Sequence, residues 1–182
     1  MTQRADDVRV TCPLFQEEYG GSIPTSALQL FVSKTDKKKA LALNQEWHSR
    51  LPQFEASKVG RVVPYSAEYN NVVYAVAFWS DPIARAFNGK NYWELRRMAV
   101  APDAPRNTAS RFLAIMTKMI RKECPHIVKL LSYQDAEVHT GGIYRACGWY
   151  RANESKTCNW STHPRPGIEQ SSAHKIRWEL DL

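Results

Sequence analysis

The spacing of apolar residues changes character along this chain, and each change marks an element. Residues 59–65 and 71–79 are dense in Val, Tyr, Phe and Trp, which predicts two strands, the second ended by Asp81-Pro82. From Tyr92 to Val100 both alternating sets contain apolar groups, the pattern of a central strand covered on two faces. Strict alternation places Trp93, Leu95, Arg97 and Ala99 on one side, with Tyr92, Glu94, Arg96, Met98 and Val100 on the other. Two consecutive arginines then face opposite covered sides. At least one needs a carboxylate such as Glu94 or Asp103, a phosphate or a wet cleft, because an unpaired buried charge is costly.

Beyond Asn107 the period lengthens. Phe112, Leu113, Met116, Met119 and Ile120 recur three and four residues apart to about Lys122, predicting a helix that leaves Arg111, Lys118, Arg121 and Lys122 to solvent. Ile127 to Tyr133 reads as a strand. Gly141-Gly142 precedes a short helix carrying Ile143, Tyr144 and Cys147, which Gly148 closes as a C-cap glycine. Trp149 opens a short strand and residues 174–180 form the last. Upstream, residues 26–34 are a candidate strand. Asp36 caps a helix running through Leu41, Leu43 and Trp47 toward His48, and Leu51-Pro52 breaks it. The order predicts an α/β (α+β) chain, with a mixed sheet flanked by helices.

A length of 182 residues fits a single domain, 1–182, and 43% hydrophobic with 24% charged residues indicates a globular chain. No apolar run reaches the ~20 residues of a membrane helix, and the polar start lacks a signal-peptide core, so no membrane partner and a cytoplasmic location are expected. Cys12, Cys124, Cys147 and Cys158 are widely spaced, which fits a reducing compartment. Cys124-Pro-His126 and Cys158…His163 are fragments of a zinc site without a second half. The net charge of +7 favours polyanions, or a phosphate-bearing cofactor. Lys37-Lys-Lys39 reads as a solvated helix start, whereas Arg96, Arg97, Arg106, Arg111, Arg145 and Arg151 cluster in or beside the stretch from Trp93 to Trp149.

Val100-x-Pro102, Arg106-Asn-Thr-Ala-Ser-Arg111 at a helix start, and Gly142-Ile-Tyr144-x-x-x-Gly148-Trp149 together resemble the GNAT acyltransferase superfamily. That resemblance implies a mostly antiparallel sheet. It also implies a diphosphate of acyl-coenzyme A held by free N–H groups at the helix start, here near Val100, Arg106, Asn107, Ser110 and Arg111, and a later tyrosine, Tyr144, as general acid. Asn107, Ala109 and Arg111 stand where that superfamily's turn has glycines, so the donor is left open.

A tighter likeness follows from Glu94-Leu-x-Arg-Met98, Pro105-Arg-Asn-x-x-Ser-Arg111, Ser132-Tyr-x-Asp135, His139, Gly142-Ile-Tyr144 and Trp47-His-Ser-Arg-Leu-Pro52. These motifs, spread over roughly residues 40–150, resemble the phage Mom family, GNAT-like proteins that convert adenine in DNA to its N6-carbamoylmethyl form and so protect phage DNA from restriction in the infected host cell. The resemblance implies double-stranded DNA as partner, with the target adenine flipped out. The N6 amine is a weak nucleophile and needs a base or a strongly activated electrophile. Asp135 is the first candidate base, with an Asx-turn cap as its competing role; His48 is the second and Tyr144 the acid. Arg97, Ser132, Tyr133 and His139 are candidate substrate contacts, Arg97 for an acidic donor group or a DNA phosphate. His48, Asp135 and His139 also form a possible metal set. Tyr65, Tyr69, Trp79, Trp93 and Tyr133 are candidate stacking platforms, and Asn107 and Gln134 candidate partners for the adenine edge. Two other functions fit the same chain: a coenzyme-A-dependent N-acyltransferase for a small amine or protein, and a non-catalytic DNA-binding module.

Overall fold

A computed structural model of the protein describes residues 23–48, 61–155 and 174–182. The Leu51-Pro52 break, Cys12 and the Cys158…His163 fragment lie outside them. The elements are β1 (Phe31–Lys34), α1 (Lys37–Trp47), β2 (Val62–Tyr69), β3 (Val72–Ser80), β4 (Tyr92–Val100), α2 (Thr108–Glu123), β5 (Lys129–Asp135), α3 (Gly142–Ala146), β6 (Tyr150–Ser155) and β7 (Lys175–Asp181). One seven-stranded sheet runs in the order β1-β2-β3-β4-β5-β7-β6. The β4–β5 pair is parallel and the other pairs are antiparallel.

Local chemistry accounts for most boundaries. The Asp36 side chain accepts from Lys39 N at 2.8 Å, capping α1, and the three lysines behind it are exposed. The candidate strand at 26–34 divides: Ser26 and Gln29 form a capping box around a 3-10 turn at Ala27–Gln29, and β1 starts only at Phe31. β2 and β3 join through Asn70 and Asn71 at φ 47° and 65°, the left-handed pair of a tight hairpin that Asn tolerates. Gly148, at φ 74°, ends α3.

α2 buries Phe112, Leu113, Met116 and Ile120 on one face of the sheet, together with Trp79, Trp93, Leu95, Leu130, Tyr144 and Trp178. Burial of each large apolar side chain stabilises by about 1.5–3 kcal/mol. On the other face α1 packs Ala40, Leu41 and Leu43 against Val73, Val76, Phe78 and Ala99. Arg111 does not lie free in solvent as the helical pattern implies. It is partly buried beside Ala27, Leu30, Val32, Ala67, Thr108 and Phe112, and its Nε has no hydrogen-bond partner among the described residues.

β4 departs from strict alternation. Phe78 pairs with Arg97 but Trp79 pairs with Leu95, so Arg96 is an extra, bulged residue. The bulge reverses the faces beyond it. Trp93 and Leu95 share the α2 side with Met98 and Val100, whereas Arg97 follows Ala99 to the α1 side. The two arginines therefore do not point to opposite covered faces; both gather near Glu94. Arg96 Nη1 meets Glu94 Oε1 at 3.0 Å, and the Arg97 charge acts on the same carboxyl.

Candidate active site

The parallel pairing of β4 with β5 runs from Tyr92/Lys129 to Leu95/Ser132 and stops there. Past the bulge the two strands part, and their carboxyl ends frame the cleft in which ligands of open α/β sheets usually bind. The candidate residues fall into three groups, one on each face of the sheet and one at the start of α2.

The first lies on the α1 side. His48 caps the end of α1, with its N–H donating to Asn44 O at 2.9 Å. Burial holds the His48 imidazole below its usual pKa, and the charges of Arg97 and His139 act in the same direction. The Arg97 and His139 charges thus reach His48 although three separate segments supply the three residues. The Arg97 guanidinium is lowered by burial and by Arg96, and its Nη1 donates to Arg96 O at 2.7 Å. Asp135 is the last residue of β5, not a residue beyond it. Its Oδ1 accepts from Glu137 N at 3.0 Å and its carbonyl from His139 N at 3.1 Å, so Asp135 orders the turn that carries His139. Among the described residues no three His, Cys, Asp or Glu side chains cluster to hold a metal ion, so the set of His48, Asp135 and His139 does not assemble as one.

The second group lies on the α2 side. Ser132 Oγ and Tyr144 Oη share a hydrogen bond of 2.8 Å, and both residues are buried. The Tyr144 ring stacks on Trp178 at 5.2 Å and meets Trp149 edge-on at 5.7 Å. Burial raises the phenol's pKa, opposed by the Ser132 bond, so Tyr144 stays protonated. Gln134 is not available to an adenine edge. Its Oε1 accepts from Trp178 Nε1 at 2.6 Å, and its Nε2 donates to the His139 carbonyl. Gly141 seals this clamp: at φ 75°, a Cβ would lie 2.6 Å from both Gln134 Oε1 and the Trp178 ring.

The third group is the start of α2. Asn107 takes a left-handed conformation (φ 67°, ψ 9°) and its side chain makes no capping bond. Asn here adopts the backbone for which a turn glycine is usually selected. Thr108 N donates to Pro105 O and Arg111 N to Asn107 O, while Ala109 and Ser110 N–H meet no backbone acceptor among the described residues. No acidic residue occupies the first turn. Uncapped donors between Arg106 and Arg111, with Val100 ending the preceding strand, fit a diphosphate better than the missing glycines imply. Cys147 Sγ donates to Ser110 O at 3.1 Å and ties α3 to this turn.

Of the five candidate stacking rings, Tyr65, Trp79 and Trp93 are core residues and Tyr69 is partly buried, whereas Tyr133 is 38% exposed. In the sequence Glu94 reads as a salt-bridge partner and as the start of the Glu94-Leu-x-Arg-Met98 motif, with no site role. It is a buried carboxyl whose pKa burial raises, opposed by Arg96, by a bond from Ile83 N at 3.3 Å and by Arg97. Its signal was a lone acid inside an apolar strand.

The sequence profile of the Mom protein family matches residues 29–179. The chain belongs to the Mom family. This Mom-family chain also has the fold of GNAT acetyltransferases. It is similar to a Bacillus subtilis acetyltransferase solved in complex with CoA (TM-score 0.60, 14% identity, covering 84% of this chain and 99% of that one). It is likewise similar to the Escherichia coli ribosomal-protein-S18-alanine N-acetyltransferase (0.59, 19%, 84% and 93%) and to the IAA acetyltransferase of Bacillus cereus (0.62, 16%, 84% and 99%). No curated protein matches the Mom-family chain in sequence. Among its described residues no helix is long and apolar enough to cross a membrane.

Proposed function

We propose that this protein converts adenine in phage DNA to its N6-carbamoylmethyl form and so shields that DNA from restriction. Membership of the Mom family supports the substrate. The observation that carries the mechanism is a partly buried His48 imidazole within reach of the Arg97 and His139 charges, with Arg97 on β4 just past the last β4–β5 pair. A His48 imidazole with a lowered pKa is neutral near pH 7 and accepts the N6 proton as the new N–C bond forms and the donor carbon's bond to its leaving group breaks. Arg97 holds an anionic group of the donor or a DNA phosphate beside it. Asp135 keeps His139 in place through the 135–139 turn, and Tyr144, kept protonated by burial and fixed by Ser132, is the acid that protonates the donor's departing group. The flipped base stacks on Tyr133, whose ring is open to solvent.

The start of α2 is where a coenzyme-A-like donor would be held, through Ala109 and Ser110 N–H with Arg106 and Arg111 in support. Such a group supplies a carbon activated for transfer. The Bacillus subtilis acetyltransferase, which has the same fold, was solved in complex with CoA. The same uncapped turn also favours a second reading, an ordinary N-acyltransferase, which predicts saturable acetyl-coenzyme A binding and little affinity for DNA.

Mass spectrometry of nucleosides from plasmid DNA co-expressed with the protein tests the proposal. Wild type should yield a mass-shifted deoxyadenosine and His48→Ala should not. Unmodified adenine from cells holding abundant folded protein would exclude it.

A further inference from the structure

On the α1 side of the sheet, away from α2 and α3, cations and rings alternate in one continuous strip. The Arg177 guanidinium lies 5.2 Å from the Phe87 ring. Lys90 Nζ sits over Phe87 at 5.7 Å and over Tyr92 at 5.6 Å, and these two rings contact each other at 5.8 Å. Lys129 Nζ continues the row over Tyr92 at 5.8 Å and Tyr150 at 5.5 Å. The strip thus crosses β4, β5, β7, β6 and the loop before β4.

Its charges are not equivalent. Lys129 is neutralised by Glu179 at 2.8 Å and Asp181 at 3.1 Å, so it anchors the rings and contributes little outward charge. Lys90 is exposed and has no carboxylate within ion-pair distance among the described residues. Arg85, in the same loop, is exposed as well. Tyr150 is 42% exposed. One end of the strip leads to the candidate site: Arg177 is hydrogen-bonded to Tyr133, and Tyr133 feels the Glu94 charge. From Lys129 to Asp135, β5 covers about 20 Å at ~3.3 Å per residue, room for several nucleotides at about 3.4 Å per phosphate of a stacked strand.

We propose that this strip binds the unpaired DNA strand next to the target adenine, with bases stacked on Phe87 and Tyr150 and phosphates drawn to Lys90 and Arg85. The inference rests on DNA being the substrate and adds where the strand runs. Rings with cations beside them are the recurrent surface for single strands, since every base offers a π-face. A paired duplex hides those faces, so the strip should prefer unpaired DNA.

Fluorescence anisotropy of the full-length protein, with a short labelled single-stranded deoxyoligonucleotide containing one adenine and with its duplex, tests this. Phe87→Ala should weaken single-strand binding about five- to hundredfold. Lys90→Ala should weaken it and reduce the slope of log affinity against log salt by about 0.7. Lys118→Ala, on the exposed face of α2, should change nothing. Lys90 is exposed, so its substitution leaves the fold intact and serves as the check if Phe87→Ala misfolds. Wild-type affinity in the Lys90 variant, or tighter duplex binding untouched by both substitutions, would overturn the strip. If plasmid DNA carries the adduct equally in wild type and strip variants, the strip fails and the adenine chemistry stands. If wild type makes no adduct but the strip variants still lose oligonucleotide binding, the chemistry fails and the surface stands.

Discussion

Removing the Tyr144 hydroxyl separates its structural from its chemical role. In Tyr144→Phe the ring keeps its stack on Trp178 and its edge contact with Trp149, while Ser132 Oγ loses its partner at a site only 2% exposed. A stranded buried hydroxyl costs about 1–3 kcal/mol. Ser132→Ala strands the Tyr144 hydroxyl instead, in a residue 7% exposed, for a similar cost of about 1–3 kcal/mol. The double variant strands neither group. It should therefore cost less than the sum of the two, with a coupling of about 1 kcal/mol in a double-mutant cycle. Urea unfolding followed by tryptophan fluorescence reads this directly, because Trp149 and Trp178 flank the pair. The nucleoside assay then adds the chemistry. If Tyr144 is the acid, Tyr144→Phe loses the adduct while most of the protein remains folded, and Ser132→Ala loses less. Strict additivity in the cycle would refute the hydrogen-bond argument. Full adduct from Tyr144→Phe would refute the assignment of the acid.

Gly141→Ala combines a left-handed backbone with a Cβ 2.6 Å from Gln134 Oε1 and the Trp178 ring. It should destabilise by more than about 2 kcal/mol, since overpacking alone costs about 1–3 kcal/mol and the positive φ adds to it; a thermal melt within a degree of wild type would contradict this. The lowered pKa of His48 has a defined sign. Below the ordinary histidine pKa of about 6.5 the unfolded chain takes up a proton that the folded site resists, so the His48 contribution to stability is present above that pH and is lost as pH falls through the window between the two values. Urea midpoints should fall from pH about 7 to about 5 more steeply in wild type than in His48→Gln, and parallel profiles would show that His48 is not the group responsible.

Among the described residues the Mom-family motifs lie in or beside the elements that the sequence pattern assigned, yet their partners were only partly legible. Ser132 and Tyr144 were both candidates, but nothing in their spacing tells that they bond to one another. Gln134 looked available because amide side chains read as recognition groups. Its use as a strut between Trp178 and His139 depends on β7, which pairs with β5 from the far end of the chain. The glycines missing around Asn107 leave the donor open in the sequence, while the left-handed backbone of Asn107 is a property of the folded turn.

The sequence by itself determined α1 and its Asp36 cap, the amphipathic α2, the β-branched strands and the glycine stop after α3, because each follows from backbone geometry within a few residues. Only the tertiary structure decided which face Arg97 takes, that β4 and β5 part beyond Leu95, and that the His139 charge reaches His48. A bulge is set by the register between two strands, and the electrostatic coupling of two histidines by how an entire sheet brings distant segments together. No periodicity along one strand or helix encodes either.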